Sequence, residues 1–477
     1  MIMNRISLFF ALLMLTLSSA VMRAQEVSPV DFMRLNPYQL KSNPAVDLPY
    51  ESVMSMVIGN IGLNVQTTTL RYDNIFDFDA SGRPATVNLK KLANSLHDNN
   101  FVVIDVNENF FSLYRRVGEG MFTYDHNVKA HGALKYNDGL FQLLANGNAA
   151  FVGDNNPAHV DMNLDATVYH EFSVGYQRRI NDNLSVGGRA KLLFGFANVT
   201  TDVCDAKLFT DADTYALSIE ENLGARMSLP NMVFINNKCM LDARGPLSVG
   251  DFFHNPGFGV DLGAEYRFND QLGVVAAVND LGFIHWGGND FKLDGDIHDV
   301  GQFYDNGSFL YEGIHVDQLQ HIFSDKDYRE KFFDTIQQYF QVQLNSMENY
   351  TTMLNTNLLL RGYYDFTPQN RVVAQAQGRF IGNGFRPAFT VAYCGTFFDN
   401  LNVCATYTAM PHSYDNIGLG LSAMIETCNI YLTTNNLVGL FKPLNTSAFN
   451  AQVGVVFNLF TEGRHTIDES GRPKYLQ

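Results

Sequence analysis

The sequence predicts an all-β transmembrane fold: an antiparallel up-and-down β-barrel of about fourteen strands, with an N-terminal plug segment and helical loop insertions. Three observations predict it. Tight turns of nearly one recipe recur. Arg179-Ile180-Asn181-Asp182-Asn183-Leu184 is repeated as Arg267-Phe268-Asn269-Asp270-Gln271-Leu272, more loosely as Phe397-Phe398-Asp399-Asn400-Leu401, and in a fourth form as Asp365-Phe366-Thr367-Pro368-Gln369-Asn370. On both sides of each turn apolar and polar residues alternate for about ten residues, and a tilted strand of that length crosses a bilayer's hydrocarbon core. The chain also opens with an export signal: charge in Met1 to Arg5, an apolar run from Ile6 to Leu17, then Ser18-Ser19-Ala20. That run is too short and too early for a membrane anchor.

Taken in order, residues 1–24 are the signal peptide. Cleavage after Ala20 satisfies the small-residue rule, whereas cleavage after Ala24 exposes Gln25, and both sites stay open. Residues 25–50 form a plug or periplasmic segment. They are polar and punctuated by Asn36-Pro37 and Asn43-Pro44-Ala45, which reads as irregular structure. The barrel occupies 51–460. Strands are expected at 53–65, 101–114, 121–134, 167–180, 184–197, 257–268, 271–279, 354–366, 371–380, 388–397, 401–409, 417–425, 430–434 and 448–460. Leu89, Leu92, Ala93 and Leu96 follow the helical period, and a short capped helix is expected at 138–144. Residues 215–228 also read as strand and are placed above the membrane. The insert 287–350 carries a helical stretch. Ser324 caps it, and Tyr328, Phe332, Phe333, Ile336 and Phe340 form one face. It reads equally as a lid on the barrel mouth or as a surface helix on the loops. Residues 461–477 are a polar tail. An even strand count leaves both ends of the barrel on the periplasmic side.

The alternation assigns faces. Phe258, Val260, Leu262, Ala264, Tyr266 and Phe268 share one side of their strand, and Gly259, Asp261, Gly263, Glu265 and Arg267 the other. Leu354, Thr356, Leu358, Leu360, Gly362, Tyr364 and Phe366 oppose Asn355, Asn357, Arg361 and Asp365. In the last strand Phe449, Ala451, Val453, Val455, Phe457 and Leu459 oppose Asn450, Gln452, Gly454 and Asn458. A soluble sandwich alternates too, with charge facing water. Strand length, mixed-sign charge among Gly and amides, and export favour lipid on one side and a crowded polar lumen on the other. Arg189, Lys191, Asp261, Glu265, Arg267, Arg361, Asp365 and Arg379 then line the lumen. They serve either as ion pairs that hold its shape or, for the arginines, as a path for anionic solutes such as carboxylates.

Composition excludes other classes. Hydrophobic content is 46% with a mean hydropathy of -0.10, too low for a bundle of membrane helices. A net charge of -16 argues against nucleic acid as a partner. Five cysteines are not a disulfide framework for so long a chain, although Cys394, Cys404 and Cys428 can sit near one another on neighbouring strands. No Gly-rich phosphate loop, Gly-x-Ser-x-Gly elbow, His-Glu-x-x-His or Cys-x-x-Cys occurs, so no enzyme and no cofactor is implied. Asp77-Phe78-Asp79-Ala80-Ser81-Gly82 imitates the start of a calcium loop, but Asn88 stands where the bidentate Glu belongs, and an acidic surface turn explains it better. His285-Trp286 reads as an interfacial aromatic with a polar neighbour.

The signal peptide, Asn43-Pro44-Ala45 after a polar lead and about fourteen strands together resemble the FadL-type hydrophobic-compound transporter superfamily. The resemblance implies that the segment bearing Asn43, Pro44 and Ala45 folds into the barrel as a plug and that hydrophobic solutes pass when it shifts. The chain is also similar to an outer-membrane barrel family of Bacteroidota of unknown function. That likeness rests on Asn43-Pro44-Ala45, His170-Glu171-Phe172-Ser173-Val174-Gly175-Tyr176, Gly188-Arg189-Ala190-Lys191-Leu192-Leu193-Phe194-Gly195 and Asp280-Leu281-Gly282-Phe283-Ile284. The expected setting is the outer membrane of a Gram-negative bacterium, with its lipids and a small hydrophobic or amphipathic ligand as partners. Phe460 closes the last strand where many barrels end, so residues 461–477 are left to contact a periplasmic partner. That tail motivates the alternative expectation, a non-transporting barrel for partner binding or secretion.

Overall fold

The computed structural model describes residues 27–33, 36–48, 52–82, 84–153, 155–213, 217–230, 232–235, 238–241, 253–287, 300–311, 343–347, 349–381, 384–398, 400–410, 413–437, 439 and 448–461. Fourteen strands form the wall. They are β1 Ser52–Thr67, β2 Asn100–Val117, β3 Gly120–Tyr136, β4 Ala158–Arg179, β5 Leu184–Thr210, β6 Pro256–Arg267, β7 Leu272–Gly287, β8 Asn357–Thr367, β9 Asn370–Ile381, β10 Gly384–Phe397, β11 Leu401–Met410, β12 Ser413–Ile425, β13 Cys428–Thr434 and β14 Ala448–Thr461. Each pairs antiparallel with the next. β14 then pairs with β1, from Ser52↔Thr461 to Gln66↔Ala448, and the sheet closes without an edge. Among the described residues no helix is long and apolar enough to cross a membrane; strands make the crossing.

The recurring turns owe their recipe to one side chain. Asn181 Oδ1 accepts from the amides of Asn183 (2.9 Å) and Leu184 (2.8 Å). Asn269 Oδ1 does the same for Gln271 (2.9 Å) and Leu272 (2.8 Å). An Asn there mimics a backbone turn and satisfies two amides that a reversing chain otherwise exposes. In the Pro368 variant Thr367 Oγ1 takes the role, accepting from the Gln369 amide at 3.3 Å. These turns, with the two-residue links after β2 and β12, lie at the end of the barrel where β1 starts and β14 stops.

Faces follow the alternation. Phe258, Leu262, Tyr266, Leu360, Phe366 and Val453 are exposed on the outer wall, while Asp261, Glu265, Arg361 and Asp365 are buried inside. An apolar belt of this extent suits acyl chains, not water. Most strands outrun their expected limits at the end with the long connections. β5 is the extreme case. Its distal half pairs with Leu217–Ser228, from Asn198↔Ser228 to Thr210↔Leu217. That strand pairs with Val300–Tyr311, which pairs with Gln343–Met347. Residues 215–228 were expected above the membrane as strand, and the described part is an extension beyond the short β6. The described parts of the 287–350 insert are therefore strands, and the helix expected at 324–340 lies outside the described residues. Helices at Leu89–Ser95 and Gly139–Asn146 meet their expected positions within two residues.

Three assignments are corrected. Leu354 was expected on the lipid side with Leu358, but it is buried. Residues 354–356 leave the ladder between Asn349–Met353 and β8, with Leu354 N bonded to Gly282 O (2.9 Å) and Thr356 N to Leu354 O (2.8 Å), so the side-chain parity resets there. Trp286 is not interfacial. It is fully buried inside the barrel, and its Nε1 donates to Thr352 Oγ1 at 2.8 Å. Phe449 is also buried despite its apolar-face parity.

Cys394 and Cys404 face each other across β10 and β11 and are disulfide-bonded, whereas Cys428 is free. Alkylation of the unfolded, unreduced protein is expected to leave Cys394 and Cys404 unlabelled and to label Cys428. Labelling of Cys394 before reduction would show the pair to be open.

Candidate functional site

The N-terminal segment lies inside the barrel. Pro29–Phe32 and Pro37–Lys41 are short 3-10 turns, each started by a proline whose missing amide proton costs nothing at a first turn. Asn36 Oδ1 caps the second by accepting from the Tyr38 amide at 2.9 Å. Asn43 Oδ1 accepts from the Ala45 amide at 3.0 Å, which folds Asn43-Pro44-Ala45 into a compact turn. Asn43 and Ala45 are buried.

Two wall glycines make room for that turn. Gly187 of β5 and Gly263 of β6 are cross-strand partners. A Cβ at Gly187 would stand 1.9 Å from the Pro44 carbonyl oxygen, and one at Gly263 would stand 3.0 Å from Pro44 Cδ. A side chain at the first position is incompatible with the turn, the usual reason for glycine where a second backbone approaches a strand.

The wall holds the segment by side chains. Arg361 Nη1 donates to Asp31 O (3.0 Å), Arg189 Nη2 to Lys41 O (2.7 Å), Asn279 Nδ2 to Ser42 O (2.8 Å) and Arg116 Nη2 to Leu48 O (2.9 Å). Asn435 donates to Val27 O. Every backbone–backbone bond of the segment among the described residues is internal. Apolar contact adds to the grip: Phe32 lies under the Arg361 guanidinium at 4.8 Å, and Tyr38 packs on Tyr431 at 6.1 Å. Burial pushes the Lys41 ammonium down to about 8, against the pull of Asp125. Burial likewise raises the Asp31 carboxyl, with Arg361 opposing.

The charges expected in the lumen are mostly brought into pairs. Arg189 Nη2 and Lys191 Nζ reach Asp261 at 2.6 and 2.7 Å. Arg267 pairs with Glu265 at 3.2 Å, Asp365 with Arg371 at 2.6 Å and Arg379 with Asp105 at 3.0 Å. Arg361 instead donates to Gln375 Oε1 at 2.8 Å. Sequence reasoning missed the centre of this network. Asp125 accepts from Ser112 (2.5 Å) and Tyr114 (2.9 Å) and stands 3.6 Å from Lys41 and 3.5 Å from Arg189. Glu171 and Asp280 share Lys129, at 2.7 and 3.0 Å. Asp280 enters because β7 carries a bulge: its φ is 55°, the β6–β7 register shifts between Val260 and Leu262, and its amide donates to Asp261 Oδ1 at 2.7 Å. A charged residue directly after Asn279 in an apolar strand was the available signal. Among the described residues no three His, Cys, Asp or Glu are arranged to hold a metal ion.

Between segment and wall lies a cavity of about 260 Å³. Its lining carries the cations Lys41, Lys129, Arg189, Lys191 and Arg379 and the carboxylates Asp31, Asp105, Asp165, Glu171 and Asp280. Asn64, Asn107, Asn279 and Asn357 add amides, and Tyr169, Ile284 and Leu354 add an apolar side. Those three pack with Leu193, Trp286 and Tyr350 in one buried cluster.

A closed transmembrane barrel with an occupied lumen is thus the class that fold and site define. A family model described as a family of unknown function (DUF5723) matches residues 44–435, and the chain belongs to that family. No curated protein matches the chain in sequence. Among solved structures, the chain is similar to the toluene transporter TodX of Pseudomonas putida, at 9% identity and a TM-score of 0.39 over 91% of this chain and 98% of that one. A FadL homologue of Pseudomonas aeruginosa gives 10% identity and 0.42 over 92% and 100%. The translocator domain of the autotransporter NalP from Neisseria meningitidis gives 9% and 0.33 over 88% and 94%.

Proposed function

We propose that the protein is a channel of a Gram-negative outer membrane through which small hydrophobic or amphipathic molecules diffuse inward. The N-terminal segment gates it, and the Asn43-Pro44-Ala45 turn seats the gate on the wall. One observation carries this reading: the segment sits in the lumen without joining the sheet. Among the described residues the wall reaches its backbone through side-chain donors. Each such bond contributes about 1 kcal/mol net from the asparagines and about 1.5–3 kcal/mol from the arginines. The segment can therefore shift while every rung of the closed ladder stays intact. The cluster of Tyr169, Ile284, Trp286 and Leu354 gives an apolar body somewhere to rest inside a largely polar lumen.

Liposomes carrying the mature protein are expected to take up short-chain fatty acids and alicyclic alcohols faster than empty liposomes. Deleting residues 31–48 should raise the rate further. Equal uptake by loaded and empty liposomes, with the barrel folded, would end the channel reading.

A further inference from the structure

Charge in the cavity beside the N-terminal segment is compensated with one exception. Each lining cation, Lys41, Lys129, Arg189, Lys191 and Arg379, stands within 3.6 Å of a carboxylate. An anionic solute therefore meets only cations that are already paired. Of the lining carboxylates, Asp105, Glu171 and Asp280 are held by those cations, and Asp31 accepts the Ser28 amide at 3.2 Å. Asp165 has neither an ion pair nor a hydrogen bond among the described residues, and the residue is partly exposed. Its titratable neighbours bond elsewhere: His131 Nδ1 to Asp105 at 2.6 Å, and the Tyr350 hydroxyl to Asn198 Oδ1 at 2.7 Å. An uncompensated carboxylate in a narrow passage of low dielectric attracts cations.

We propose that this cavity binds a primary ammonium on a short apolar body, with the ammonium on Asp165 and the body along Tyr169 towards Ile284 and Leu354. Asp165, Thr167, Tyr169 and Glu171 are alternate residues of β4, and all four line the cavity. The strand rises about 3.3 Å per residue, so Tyr169 starts roughly 13 Å beyond Asp165, a gap that the two side chains and a short alkyl chain close together. Glu171, at the far end, is already sealed by Lys129 at 2.7 Å. A divalent metal ion fits worse, because it needs converging oxygen ligands and no three His, Cys, Asp or Glu converge among the described residues. The inference deepens the channel reading and rests on it, since it names amphipathic cations as the solutes that the passage holds.

The chain has a single tryptophan, and Trp286 is buried in one cluster with Tyr169, Ile284 and Leu354, so its fluorescence reports occupancy. The full mature protein in phosphatidylcholine nanodiscs would be titrated with hexylammonium, hexanol and hexanoate, with empty nanodiscs as the blank. Hexylammonium is expected to give a saturable change, with the other two at least about tenfold weaker. Asp165→Asn should weaken hexylammonium by at least about tenfold, and Asp165→Glu should keep it within about threefold. Both variants should keep the native urea midpoint, because Asp165 has no partner to lose. Equilibrium dialysis with labelled hexylammonium covers the case of a silent tryptophan. The inference is overturned if dialysis finds no saturable hexylammonium at millimolar concentration, if hexanol or hexanoate binds as tightly, or if Asp165→Asn binds hexylammonium unchanged. Should the variants fail to fold, the ranking of the three solutes on the native protein decides alone. Parallel liposome swelling separates the two claims. Passage of solutes with no site for hexylammonium refutes the site alone, whereas bound hexylammonium with no passage of any solute refutes the channel.

Discussion

Gly187→Ala is expected to raise single-channel conductance in planar bilayers several-fold over the native protein. The added Cβ would stand 1.9 Å from the Pro44 oxygen, 2.5 Å from its carbonyl carbon and 3.0 Å from the Ala45 nitrogen. All three are backbone atoms, so no side-chain rotation relieves the clash. Either wall or segment must retreat, by about 1.5 Å at the Pro44 oxygen, to reach ordinary contact. Gly187 sits in a continuous ladder, paired to Gln177 on one side and Gly263 on the other. Among the described residues the segment is held near this point by side chains, Arg189 and Asn279 on its carbonyls and its own Lys41 on Asn127 and Asp125. The segment gives way first. Gly188→Ala is the control, because its Cβ would meet only Asp261 O and a Leu262 methyl at 3.4 Å. Equal conductance for both variants and the native protein would refute the seat of the Asn43-Pro44-Ala45 turn on Gly187.

Asp261→Leu is expected to destabilise the folded barrel by about 3–5 kcal/mol, the usual effect of removing one partner from a buried ion network. Asp261 is completely buried and accepts from Arg189 Nε (2.8 Å), Arg189 Nη2 (2.6 Å), Lys191 Nζ (2.7 Å) and the Asp280 amide (2.7 Å). Leucine fills similar space but leaves the Asp280 amide without its acceptor and Arg189 with a single carboxylate, Asp125 at 3.5 Å, beside the Lys41 carbonyl. The midpoint of urea unfolding, followed by gel mobility, measures the loss. Lys91→Ala is the contrast. Its pair with Asp77, at 3.7 Å, lies open to water outside the wall, so the expected change is below about 1 kcal/mol. Matching small losses for both variants would mean that water, not protein, solvates the central charges.

Much of the fold was legible in the residues. Asn181 and Asn269 marked the turns because their side chains cap them, a local interaction written in the sequence itself. Alternation placed Phe258, Leu262 and Leu360 outside and Asp261, Glu265 and Arg361 inside, since the side-chain period of a strand is fixed at two. The inner face of β6 could therefore be read without knowing a single neighbour, and its Asp261 and Glu265 are buried. The site was less legible. Lys129, Asp125 and Glu171 lie on strands whose inner faces were not read for charge, and Lys41 on a segment read as irregular.

Strand positions, turns and most lipid-facing sides could be read along the chain, because they depend on interactions within a few residues. Who faces whom across the lumen could not, nor could the departures at Leu354 and Phe449. Asp280 turns inward because a bulge in β7 adds one residue against β6, the same bulge resets the parity of β7 so that Ile284 and Trp286 turn inward, and Leu354 turns inward because the neighbouring ladder breaks at 354–356. Register and closure join residues far apart in the chain, Ser52 with Thr461 and Gly187 with Pro44, and no local pattern encodes such distances.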